Sequence, residues 1–359
     1  MLSRLSSIYE LNGYNRFKMS KFEEYDLYVK NKDFLISDNI ITFNDIGGKL
    51  LALKPDVTLS IVKNVRDEDG VKKVYYNENV YRVSQSTGSF KEIMQVGLEC
   101  IGDVDTFLTF EVISLAVKSL CEISNDCVLD LSDLKVISCL LDKATDNIET
   151  KKEILTFIGQ KSAHEIDKFK GSIDNDYLCA IKEIALLSGK AENVLPKLKN
   201  ILNGLVEAEV LLELESICTL LKLNNLDANV RIDFSVVNDI KYYNGIVFKG
   251  FVSGINKDIL SGGRYDNLLR KMGKNKGAVG FAIYLDLLEN LQNETAPFDL
   301  DAAVLYDQNS DIAVLSKFTN ELTAKNLKVS ALKTLPEKLK CRTVYKLSGT
   351  EVSVLENNA

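Results

Sequence analysis

FKEIMQVGLECIG, residues 90–102, decides how the rest of the chain is read. In an extended strand Met94, Val96, Leu98 and Cys100 fall on one face, and Gln95, Gly97 and Glu99 on the other. Period-two alternation over this length predicts a β-strand with its apolar set turned toward a core. The polar set carries two readings. A glycine between two polar side chains leaves room for a ligand or a second backbone to approach, and Glu99 can then hold an amine or an imidazole N–H by a charge-assisted hydrogen bond. The same spacing also suits a solvent-facing strand with a bulge at Gly97.

Working outward, KKVYYNENVYRV (72–83) is a second strand, joined to the first by the small polar loop SQSTGS (84–89). Upstream, residues 1–13 have helical spacing and stop at Asn12-Gly13. GYNRFKMSKFEEY follows as an extended segment. IITFNDIGGKLLALKP reads as a hairpin around Asp45-Ile46-Gly47-Gly48, and Pro55-Asp56 starts a helix through TLSIVKNV. Downstream come a helix over about 104–122, a strand VLDLSD, and helices through most of 134–225. Strands return at NVRIDFSV and YYNGIVFKGFV. A Gly262-Gly263 turn, a short helix YDNLLRKMG and the segment AVGFAIYLDLLENL complete this part. A linker near Asn293 to Pro297 leads to a small β-α-β-like tail, with DAAVLYD and LKVSAL as strands around SDIAVLSKFTNELTAKN. Local hairpins on both sides of a helical stretch predict an α+β fold with an antiparallel sheet, not an alternating parallel one.

Composition narrows the chemistry. The 359 residues are 46% hydrophobic and 26% charged, the balance of a globular protein. No apolar run reaches the roughly 18 residues of a membrane span, and the N-terminus lacks the long apolar region of a signal peptide. Seven scattered cysteines without a C-x-x-C pair argue against a disulfide framework and a zinc site. Cys139 and Cys218, within apolar helical runs, read as buried free thiols, and the compartment as reducing cytoplasm. The single histidine, His164, lies in the polar stretch QKSAHEIDKFKG and reads as a surface residue; alone it supports neither a His-based triad nor a multi-histidine metal site. A net charge of −7 is a poor match for gripping a nucleic-acid backbone.

Two further segments are candidates for chemistry. In LALKPDVTLS, Lys54, Asp56 and Thr58 cluster where a strand meets a helix, so Asp56 and Thr58 either contact a ligand or cap that helix. In KYYNGIVFKG, strand alternation points Tyr242 and Tyr243 to opposite faces, one packing and the other lining a pocket. Gly262-Gly263, before Arg264 and Tyr265, suits an anion at a helix N-terminus or a plain turn.

In this order these segments resemble the histidyl-tRNA synthetase family. NGYNRF looks like its first class II motif, LKPDVT like the substrate-binding L-R-P-E/D-x-T, and VYRVSQSTGSFKEIMQVGLECIG like motif 2. NDIKYYNGIVF looks like the histidine signature R-G-L-D-Y-Y-T-G-x-V-F, and GGRYDNLL through AVGFAIYLDLL like the end of the core and motif 3. The match covers roughly residues 1 to 292. It implies a class II synthetase-like antiparallel sheet flanked by helices, made of residues 1–133 and 226–292. A helical insertion would span 134–225, and a small C-terminal α/β domain 297–359, shorter than an anticodon-binding domain.

The departures from the family pattern shape the expected function. The motif 2 arginine falls at Tyr81, with Arg82 one position away. The second motif 2 arginines become Ser89 and Lys91. The signature arginine becomes Asn238 and the following acid Lys241, and the motif 3 arginine becomes Leu287. Losing one donor to a developing phosphate charge costs about 2.7–4 kcal/mol, so adenylate formation is not expected. The positions that contact histidine in the family remain as Asp56, Thr58, Gln95, Glu99, Tyr242 or Tyr243, and Tyr265. An intact amino-acid half beside a lost ATP half is similar to the synthetase-like regulatory subunits of ATP phosphoribosyltransferase. That resemblance implies a non-catalytic, cytoplasmic subunit of histidine biosynthesis, with no cofactor, no metal and no tRNA. It would form a dimer, join a short-form catalytic subunit in a hetero-oligomer, and respond to L-histidine as effector. A divergent histidyl-tRNA synthetase and a synthetase-like module serving another partner are the alternatives.

Overall fold

The structure, a computed structural model, describes residues 1–31, 40–66, 70–83, 88–237, 242–288 and 298–358. The chain divides into two compact units, Met1–Leu288 and Glu289–Ala359.

The strand predicted over 90–102 forms as β6 (Phe90–Gly102), antiparallel to β5 (Lys72–Val83) from Lys72↔Ile101 to Val83↔Phe90. The pair lies in a nine-stranded sheet with β1 (Asn15–Arg16), β7 (Cys127–Asp133), β8 (Ser188–Gly189), β9 (Val230–Asp233), β10 (Ile246–Val252), β11 (Leu260–Arg264) and β12 (Gly277–Tyr284). The order is β1-β5-β6-β12-β11-β10-β7-β9-β8, parallel at β1–β5 and β7–β9 and antiparallel elsewhere. This is the α+β arrangement expected of the sequence.

From Gln95 to Gly102 both faces of β6 are covered, which removes the solvent-facing reading of Gln95, Gly97 and Glu99. On one side α1 (Leu2–Leu11) and α4 (Thr106–Ile123) pack over Leu98 and Phe281, with the Tyr9 hydroxyl 2.9 Å from Ser119 Oγ. Asp105 caps α4 by accepting the Leu108 N–H at 2.8 Å. On the other side α3 (Thr58–Lys63) and α10 (Asp266–Lys271) bring Leu59, Ile61, Val62, Leu268 and Leu269 onto Tyr76, Val80, Ile101 and Ala278. The alternation is real, and the polar set simply faces a second core.

A small sheet, β2-β4-β3, contains the expected hairpin between β3 (Thr42–Asn44) and β4 (Leu50–Leu53), with β2 (Phe22–Glu24) on its other side. Gly48 sits at φ +81 in the turn, where a side chain would be strained. The helix α2 (Tyr25–Lys30) follows β2. Between β7 and β9 run α5 (Leu134–Ala144), α6 (Ile148–Gly159), α7 (Asn175–Leu186), α8 (Ala191–Leu202) and α9 (Leu212–Leu223), inside the first unit.

The second unit orders its strands β14-β13-β15-β16: β13 (Leu300–Leu305), β14 (Val329–Leu332), β15 (Cys341–Ser348) and β16 (Glu351–Asn357). The helix α11 (Ile312–Ala324) packs Leu315 and Leu322 on Ala302, Val304 and Leu347. The sequence reading found β13, α11 and β14 but missed the hairpin β15–β16, whose turn holds Gly349 at φ +60. The linker near 293–297 lies outside the described residues.

Candidate functional site

Glu99 is the centre of the site. It lies on β6, 2% exposed, and each carboxyl oxygen receives a hydroxyl. Thr58 Oγ1, in the first turn of α3, donates to Oε1 at 2.7 Å, and Tyr265 Oη donates to Oε2 at 2.5 Å. Three distant segments thus converge on one carboxyl. Burial pushes its pKa up to about 8, the two hydroxyl donors partly oppose this, and the nearby Asp56 carboxylate adds to the rise.

Of the two roles left open by its sequence, Asp56 performs the capping one. Its Oδ1 accepts the Leu59 N–H at 2.8 Å, a helix-capping bond, and it is also a buried carboxyl facing Glu99. Burial raises its pKa, while the Leu59 N–H and the Arg82 guanidinium pull it down. Lys54, 1% exposed, is turned to Glu78 at 2.6 Å, so its charge is spent on that pair.

The tyrosines and the Gly262-Gly263 pair each need a correction. Tyr242 and Tyr243 do not point to opposite faces: β10 begins only at Ile246, so strand alternation does not apply to them. Their rings meet edge to face at 4.8 Å, and Tyr242 lies 5.5 Å from the Tyr265 ring. Both pack on the cluster around α3 and α10. Gly262 and Gly263 form no turn; they are inside β11, where a Cβ at 262 would lie 2.5 Å from the Gly280 carbonyl oxygen and one at 263 would lie 2.7 Å from the Ile246 carbonyl oxygen. Close sheet packing therefore requires these glycines.

Gln95 is buried on the same face as Glu99, between Glu78 of β5 and Tyr284 of β12 in register. The space over Gly97 is not an empty ligand pocket. A Cβ there would stand 2.2 Å from the Phe281 carbonyl oxygen and 2.5 Å from the Tyr76 hydroxyl. Gly97→Val would therefore disrupt the sheet before it blocked any ligand. Tyr76 is a site residue that the sequence reading missed; its signal was the register itself, which sets a tyrosine opposite a glycine.

Among the positions where the family pattern is lost, Tyr81 donates its hydroxyl to Glu92 at 3.0 Å. Arg82, on the face of Tyr76 and Val80, donates Nε–H to the Pro55 carbonyl at 3.0 Å and bears on Asp56. Of the two, Arg82 is therefore the one whose charge bears on the Asp56 carboxyl. Ser89 is exposed before β6, and Leu287 is half-buried in the 3-10 turn Leu285–Leu288. Asn238 and Lys241 lie outside the described residues. His164 is exposed, 3.3 Å from Glu165. Among the described residues no group of three or more His, Cys, Asp or Glu side chains gathers to hold a metal ion, and no helix is long and apolar enough to cross a membrane.

Two buried carboxyls, two hydroxyls and the rings of Tyr242, Tyr243 and Tyr265 lie together, a set whose chemistry suits a small group rich in N–H donors, such as an ammonium or an imidazole. Fold and site define a member of the histidyl-tRNA synthetase family: the family model of histidyl-tRNA synthetase matches residues 1–288, and the chain belongs to that family. Its relatives within the family are more particular. The chain is 31% identical over 293 residues to an ATP phosphoribosyltransferase regulatory subunit from Clostridium kluyveri, covering 79% of this chain and 74% of that one. In fold it is similar to an ATP phosphoribosyltransferase regulatory subunit/histidyl-tRNA synthetase from Bacillus halodurans, with a TM-score of 0.74 and 21% identity over 98% of this chain and 93% of that one. It is also similar to a chain of the ATP phosphoribosyl transferase complex from Thermotoga maritima, with a TM-score of 0.62 and 21% identity over 79% and 96%.

Proposed function

We propose that this chain is a non-catalytic regulatory subunit of ATP phosphoribosyltransferase in histidine biosynthesis. In this reading a separate short-form catalytic subunit carries out the chemistry, and the two form a cytoplasmic hetero-oligomer built on a dimer of this chain. L-histidine is the effector, and neither tRNA nor a cofactor takes part. The class II core is residues 1–133 and 226–292, the helical insertion 134–225 and the small C-terminal domain 297–359. The observation that carries the reading is the Glu99 clamp, held by Thr58 and Tyr265. It supports an amino-acid site kept in a chain whose motif 3 arginine position is Leu287. The relatives' names support the partner.

Histidine regulates only if it favours one arrangement of the assembly over another. A coupling of about 1–3 kcal/mol gives feedback of roughly 5- to 150-fold. The test is co-purification with a short-form catalytic subunit and a phosphoribosyl-transfer assay with and without histidine. Activity that depends on this chain and falls with histidine is expected; activity indifferent to the chain overturns the reading. Arg82 is the one observation that favours a divergent synthetase instead, and an ATP–pyrophosphate exchange assay separates the two.

A further inference from the structure

Cys121 and Cys127 meet where the end of α4 leads into β7, and the site around Glu99 uses neither. Cys121 is exposed in the last turn of α4, and Cys127 is the buried first residue of β7. Their Sγ atoms are 3.6 Å apart. The short connection between them is tied down. Ser124 Oγ accepts the Asp126 N–H at 3.2 Å, and the Asp126 carbonyl accepts the Ser253 N–H at 3.0 Å. Asn229 Nδ2 donates to the Cys127 carbonyl at 3.1 Å and to its Sγ at 3.6 Å. The thiols are therefore held together by the fold, and side-chain rotation has to bring the sulfurs only to the roughly 2.05 Å of a disulfide.

We propose that Cys121 and Cys127 are a redox modification site, closing to a reversible disulfide when a hydroperoxide reaches the exposed Cys121. In the first step the Cys121 thiolate attacks a peroxide oxygen. An S–O bond forms, the O–O bond breaks, and the leaving hydroxide takes a proton to become water. In the second step Cys127 gives up its proton and attacks Cys121 Sγ. The S–S bond forms, the S–O bond breaks, and hydroxide leaves as water. Two thiols and one hydrogen peroxide give one disulfide and two waters, with two electrons passing from sulfur to oxygen. Cys121 is exposed and Cys127 buried, so the peroxide meets Cys121 first and Cys127 resolves; burial and the neighbouring Cys121 push the Cys127 thiol up to about 12, while the Asn229 donor favours its thiolate. The product straps the end of α4 to the start of β7.

The test treats the full-length protein with graded hydrogen peroxide, followed by denaturation, alkylation and tryptic mass spectrometry. Residues 119–135 form one tryptic peptide that holds both cysteines. It is expected to become two mass units lighter and resistant to alkylation, and dithiothreitol should reverse both changes. Cys179 is exposed and serves as the internal gauge of oxidant exposure. In Cys121→Ser, Cys127 should stay alkylatable at the same dose, and in Cys127→Ser, Cys121 should advance to the sulfinic acid. The proposal is overturned if peptide 119–135 stays reduced at doses that oxidise Cys179. It is equally overturned if wild-type Cys121 advances to the sulfinic acid while Cys127 remains alkylatable.

Discussion

Glu99 and Gly280 occupy registered positions on neighbouring strands, and the Glu99 carboxyl fills the space that a side chain at 280 would need. A Cβ built on Gly280 would stand 1.6 Å from Oε2 and 2.5 Å from the Leu98 carbonyl oxygen. The carboxyl thus lies flat over the backbone of β12, a position that leaves both its oxygens free to meet Thr58 and Tyr265. The glycine belongs to the site as much as the acid does.

Gly280→Ala should therefore expel the carboxyl from its clamp. Forcing a methyl group into packed space costs about 1–3 kcal/mol, a fall of roughly 2–5 °C in melting temperature for a unit of this size. Histidine binding should be lost with it. Thermal denaturation and calorimetry on the purified variant check both, and a stable variant that still binds histidine would contradict this geometry.

Glu99→Gln preserves the shape of the side chain and removes its ionisation. A hydrogen bond to a charged group is worth about 1.5–3 kcal/mol, so histidine should bind about tenfold more weakly or worse. Activation of the catalytic partner should remain. Equal affinity in the two proteins, measured side by side by titration calorimetry, would place the effector elsewhere.

The sign of the pH dependence follows from the raised pKa. Glu99 titrates near 4.5 when unfolded and at about 8 when folded, so the native state holds the extra proton between those values. Its contribution to stability is fully present below about pH 4.5 and is lost as pH rises toward 8. Relative to Glu99→Gln, the wild type should lose melting temperature steadily from pH 5 to 8 and then level off. A ligand cation that needs the ionised form must displace that proton, so histidine affinity should rise with pH up to about 8. Calorimetry in buffers of different ionisation enthalpy should register proton release at pH 7.

No histidine-dependent ATP–pyrophosphate exchange is expected. A missing donor to the developing phosphate charge lowers such a rate by about 10²–10³, and by the family resemblance Ser89, Asn238 and Leu287 replace arginines of motif 2, the histidine signature and motif 3. Arg82 alone does not restore them. Exchange clearly above a control without protein would return the chain to the enzymes.

Much of the site was legible because strand periodicity is strict. Alternation alone put Gln95, Gly97 and Glu99 on one face, and the structure keeps them there. What alternation could not supply was the content of that face. Tyr76 over Gly97 depends on the register between β5 and β6, which the loop between them does not reveal. Tyr242 and Tyr243 were misread because strand periodicity was carried back before Ile246, where the backbone is not extended. Gly262-Gly263 has the composition of a turn, and only the bulk of Phe281 and Phe248 and the carbonyls of neighbouring strands show that it is a crowded strand. Long-range crowding leaves no local trace.

The position of β12 sets a timetable for synthesis. It lies between β6 and β11 in the sheet, yet it is the last strand of its unit to be made. From residue 102, where β6 ends, to residue 277, where β12 starts, the ribosome must add 175 residues. At about 5–20 residues per second that is a wait of roughly 9–35 s. Throughout it β6 presents an unpaired edge with a row of open backbone donors and acceptors, and over the last 13 residues β11 adds a second. Nascent chains stalled before residue 277 would hold two half-sheets and no floor beneath Glu99, which makes that interval the natural one for a chaperone to occupy.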